Sequence, residues 1–147
     1  MRDWKSFIPI FSVLFLIFAC VWFAIVSSKD YLDITSFCRI DLNEDIVRGN
    51  KKTIKSALSH LKKTDRQSYK ITCRHIDEIT ERYCIDADHH LDRSAVEAGF
   101  ECDGCYIRGS KTLYLKPETG SDRNIISRRA NAIAKNAKLS QDYWNKK

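Results

Sequence analysis

Residues 7–26, FIPIFSVLFLIFACVWFAIV, run for twenty positions without a charge, and nothing else in the chain limits its fate so strongly. As a helix the run extends roughly 30 Å, the hydrocarbon thickness of a bilayer. It also exceeds the roughly 7–15 apolar residues at the centre of a cleavable signal. The sequence therefore predicts a retained single-pass transmembrane anchor over 7–26, behind a short flank at 1–6. Two alternatives stay open. One is cleavage near Val26 and Ser28; the other is lipid attachment at Cys20, where bulky Phe18 fits a lipoprotein box badly.

The remaining 120 or so residues suit one small domain. Residues 27–43 read as a juxtamembrane segment in which Tyr31, Ile34, Phe37 and Cys38 recur at helical spacing, and 44–147 as the disulfide-containing domain. Five of the six cysteines fall after the apolar run: Cys38, Cys73, Cys84, Cys102 and Cys105. That density is expected where disulfides persist, outside the cytoplasm. With Arg2 and Lys5 on the N-terminal flank, it orients the domain to the far side of the membrane.

Within the domain, Val47, Ile54, Ala57, Leu58 and Leu61 repeat at helical period, with Asn50 placed as an N-cap. A second stripe, Tyr69, Cys73, Ile76, Thr80 and Tyr83, predicts a helix from Asp65 to about Cys84. In CYIRGSKTLYL, Gly109-Ser110 between two β-prone runs predicts a type II′ hairpin that pairs Tyr106 with Leu113. A third helix is expected from Asp122 to about Lys138, then a last turn whose Tyr143 and Trp144 dock the C-terminus. The expected fold class is thus α+β and helix-dominated: one membrane helix, then three amphipathic helices and one hairpin.

Charge is unevenly spread. Residues 29–105 hold 13 Lys and Arg against 15 Asp and Glu, whereas 106–147 hold 10 against 3. The net charge of +6 therefore belongs to the C-terminal third, where Arg128, Lys135 and Lys138 form an expected basic surface for an anionic or protein partner. Without interleaved aromatics, that surface argues against nucleic acid.

Chemistry-bearing groups are sparse. There is neither HExxH nor GxSxG, and no Gly-rich phosphate loop. The Cys102-Asp103-Gly104-Cys105 pair leads into a strand rather than opening a helix, which disfavours thiol–disulfide catalysis. A disulfide from Cys102 or Cys105 to Cys84 is expected instead, because the end of a helix and a Gly-containing loop can adapt to each other. Cys84, His89, His90, Cys102 and Cys105 are the zinc candidates, although they offer one close pair where a structural site wants two. Asp86, Asp88, His90, Asp92 and Glu97 follow calcium-loop spacing, with Leu91 where that loop needs Gly. The expected function is a binding or structural module with no resident cofactor and no identifiable catalysis. The alternative is a zinc or calcium domain, or a metal-dependent hydrolase built on residues 86–97.

Overall fold

A computed structural model describes residues 13–21, 30–84 and 103–147. Among these no helix is long and apolar enough to cross a membrane. Residues 13–21 are helical (α1), about 14 Å of helix axis. The spanning helix expected over 7–26 is corrected accordingly; positions 7–12 and 22–26 lie outside the described residues.

The segment expected to run on as a juxtamembrane helix is extended. Strand β1 (Tyr31–Asp33) leads through a 3-10 turn (Ile34–Ser36) into β2 (Cys38–Asn43). The reason is period two: Cys38, Ile40 and Leu42 are buried while Arg39 and Asn43 are exposed. Helix α2 (Lys51–Thr64) follows, capped by Asn50, whose side chain accepts from the Thr53 amide at 3.1 Å. It buries Ile54, Ala57, Leu58 and Leu61, but Val47 lies before it and is exposed.

Helix α3 (Arg66–His75) stops well short of Cys84. Ile76 takes extended backbone, and Glu78–Glu81 forms β3 with Ile79 and Glu81 turned inward. The helical stripe expected through Tyr83 is therefore two elements, and Tyr83 lies on the surface. Strands β4 (Gly104–Tyr106) and β5 (Thr112–Leu115) make the hairpin, with Tyr106 opposite Leu113. Its connection differs from a two-residue loop. Ser110 N–H donates to the Ile107 carbonyl and Gly109 has φ +80°, which is the third position of a type II turn.

The hairpin does not stand alone. The five described strands form one mixed sheet in the order β1-β2-β3-β5-β4, with β2, β3 and β5 parallel. The architecture is therefore two-layered α/β, a sheet under helices, rather than three helices around a hairpin. Helix α4 (Arg123–Asn145), capped by Asp122, runs roughly 35 Å without a break at Lys138 and packs on α2, α3 and β4. Its small residues Ala130, Ala132, Ala137 and Ser140 are buried and allow this close approach. Near its end Tyr143 lies over Gly109 of the hairpin turn. One core joins Ile40, Leu42, Ile79, Leu113 and Leu115 of the sheet to Ile54, Leu58, Tyr69 and Ile133 of the helices. The opposite sheet face is polar: Glu78 there accepts from Asn43, Thr80 and Thr112.

Candidate functional site

The turn between β1 and β2 is built around Asp33. Its Oδ1 accepts from the Thr35 amide at 3.2 Å and the Thr35 hydroxyl at 2.7 Å, capping the 3-10 turn. Its Oδ2 accepts from Lys62 Nζ and Tyr69 hydroxyl, both at 2.6 Å. Lys62 also reaches Thr35 Oγ1, and the Tyr31 and Tyr69 hydroxyls lie 3.0 Å apart. The Lys62 ammonium, then the Tyr69 hydroxyl, hold the Asp33 carboxyl well below the usual carboxylate range. Burial, and then donation to Asp33, push the Tyr69 phenol far up. Asp33 therefore stays ionised and Tyr69 protonated throughout the neutral range.

This bracing presents two apolar side chains to water. Phe37 is 91% exposed and Ile34 69% exposed. Phe37 has φ 51°, a left-handed conformation that is uncommon outside Gly, Asn and Asp. The next residue, Cys38, is fully buried and disulfide-bonded to Cys73 of α3, with their Cα atoms 4.8 Å apart. The turn is thus tied to α3 covalently as well as through Tyr69.

Helix α3 supplies the other wall. Asp65 caps it, accepting from the Ser68 amide and hydroxyl, and Ser68, Tyr69 and Thr72 face the core. Arg66, Lys70 and Arg74 are exposed and step by four residues, about 6 Å of helix axis per step. Lys51, Lys62, Lys111, Arg128 and Arg129 each meet a carboxylate; among the described residues Arg66, Lys70 and Arg74 do not. Between turn and helix lies an open groove of about 630 Å³, lined by Ser36, Phe37, Arg66, Lys70, Arg74 and His75 among others. Burial, then the charges of Arg74 and Lys111, lower the His75 pKa, so its imidazole is neutral at pH 7.

Of the residues singled out from sequence, Cys84 and Cys105 form a bridge as expected, across 21 residues. Both sulfurs are therefore consumed, and neither offers a thiolate to zinc. Cys102, His89, His90 and the stretch from Asp86 to Glu97 lie outside the described residues. Among the described residues no three His, Cys, Asp or Glu side chains are grouped to hold a metal ion. Arg128 is held between Asp103 at 3.1 Å and Glu118 at 2.7 Å, so it presents no uncompensated charge. Lys135 and Lys138 are exposed on α4. Arg66, Lys70 and Arg74 form a row that the apolar pattern does not single out, although RQSYKITCR carries a cation at every fourth position. No known protein family, curated protein or solved structure matches this chain.

Proposed function

We propose that the domain is a binding module of an oxidising, extracytoplasmic compartment and that it holds an anionic partner in the groove beside α3. The observation that carries this reading is the row of Arg66, Lys70 and Arg74, three exposed cations without carboxylate partners among the described residues. Arg128, in contrast, is neutralised by Asp103 and Glu118. A site whose charges are left unpaired concentrates anions and speeds their capture. The two disulfides support the compartment, since such bridges persist where thiols are oxidised.

Titration with sodium tripolyphosphate, followed by backbone amide shifts, tests the reading. Shifts should cluster on residues 34–38 and 66–75 and weaken with added salt. Shifts centred on Lys135 and Lys138 would move the site to α4 and discard the groove.

A further inference from the structure

Cations alone would suit any soluble anion, but the groove has a second wall that such a ligand does not need. Phe37 lines the groove yet stands in water, and Ile34, at the start of the same turn, is likewise apolar and uncovered. They are not the loose end of a flexible loop. Asp33, Thr35, Lys62 and Tyr69 fix the turn by hydrogen bonds, and Cys38–Cys73 fixes the chain immediately after it. A rigid mount removes the ordering cost that a mobile loop would meet on binding. The free protein thus keeps an aromatic side chain exposed beside three unpaired cations, with a branched aliphatic one exposed on the same turn.

We propose, resting on the anionic-partner reading, that this site docks on an anionic lipid surface. Ile34 and Phe37 enter the acyl boundary, and Arg66, Lys70 and Arg74 take headgroup phosphates. Apolar side chains flanked by Lys and Arg are the two elements that surface attachment combines: buried apolar area and attraction to anionic headgroups. The contact needs no spanning helix. An acidic peptide would satisfy the cations and leave the purpose of the exposed pair unexplained.

Hydrogen exchange of the full chain is the test, comparing vesicles of phosphatidylcholine with vesicles of equal parts phosphatidylcholine and phosphatidylglycerol. Tripolyphosphate and polyglutamate serve as soluble anions. Protection of residues 34–37 and 66–75 should appear with the phosphatidylglycerol vesicles alone among the two. Phe37→Asn, which suits left-handed backbone, should lose vesicle protection but keep the response to tripolyphosphate. Ile34→Ser should behave alike. Replacing Arg66, Lys70 and Arg74 by Gln should lower vesicle affinity by about a hundredfold, at about fivefold per cation. Protection by soluble anions that is equal in wild type and Phe37→Asn, without vesicle protection, would overturn lipid docking and leave an anion-binding module. No protection by any of these anions would overturn both.

Discussion

Arg129 and Glu81 meet side chain to side chain inside the core, with 2% and 0% of their side-chain surfaces open to water. The pair joins α4 to the end of β3, and two further chain segments converge on it. Asn50 N–H, at the start of α2, donates to Glu81 Oε2 at 2.6 Å. The guanidinium donates to the Lys116 carbonyl at 3.2 Å, just past β5, while Arg129 Nε finds no partner among the described residues.

Losing one member should cost far more than losing both. Glu81→Ala leaves a buried guanidinium uncompensated and should lower stability by about 3–5 kcal/mol. Glu81→Leu with Arg129→Met removes both charges and should recover most of that. Urea unfolding of the single and double variants measures the difference. A double variant as unstable as Glu81→Ala would mean that shape, rather than charge pairing, governs the site.

Gly49 lies against the same hub. A Cβ there would sit 2.3 Å from the Asp45 carbonyl oxygen, 2.4 Å from its nitrogen and 2.6 Å from Glu81 Oε2. Two of these are backbone atoms of a turn that Asp45 Oδ1 closes on the Val47 and Arg48 amides. Gly49→Ala should therefore destabilise by about 1–3 kcal/mol, as overpacking does. An unfolding midpoint unchanged from wild type would show that this turn moves aside freely.

The bridges close loops of different length, 35 residues for Cys38–Cys73 and 21 for Cys84–Cys105. Chain entropy assigns them about 4 and about 3 kcal/mol respectively. Cys38→Ala with Cys73→Ala should be the more damaging pair, and it should also loosen the 34–37 turn. Denaturation with and without reductant checks the total, and mass mapping of non-reduced peptides checks the pairing. A midpoint indifferent to reductant would contradict the assignment.

Acid should destabilise the domain in two stages. His75 has a lowered pKa in the fold, so the unfolded chain binds its proton first, and stability begins to fall below about pH 6.5. Asp33 is also lowered, chiefly by Lys62. Its contribution is complete above the ordinary carboxylate value of about 3.9 and is lost as pH falls toward the lowered one. His75→Gln should flatten the upper stage of a stability–pH profile and leave the lower one. Loss of the lower stage instead would misassign both.

Local pattern made some of this fold legible and hid the rest. The α2 repeat of Ile54, Leu58 and Leu61 and the Asn50 cap follow from spacing alone, as does the pairing of Tyr106 with Leu113. In 31–42 two periods compete: Tyr31, Ile34, Phe37 and Cys38 step helically, while Cys38, Ile40 and Leu42 alternate. Strand pairing with β3, a partner about forty residues on, decides in favour of alternation. Between α3 and β3 no Gly or Pro marks the break, so one helical stripe reads on through Ile76 and Thr80. Arg129 resembles its exposed neighbour Arg128 in every local respect; only Glu81, 48 residues earlier, makes it a core residue. The groove was hidden similarly, because Phe37 and Arg66 are neighbours of the same cavity only once Cys38 and Cys73 are joined.

The distance in sequence between Glu81 and Arg129 also orders events during synthesis. A nascent chain that has reached β5 has made every strand of the sheet, yet it holds a carboxylate destined for the interior with no cation to meet it. The inner faces of β4 and β5 likewise wait for α4 to cover them. The core therefore cannot seal from the N-terminus forward; it waits for α4, which follows every described strand in the chain. Until α4 is made, the sheet and the Glu81 carboxylate stay open to solvent, and the interior locks only when that helix arrives.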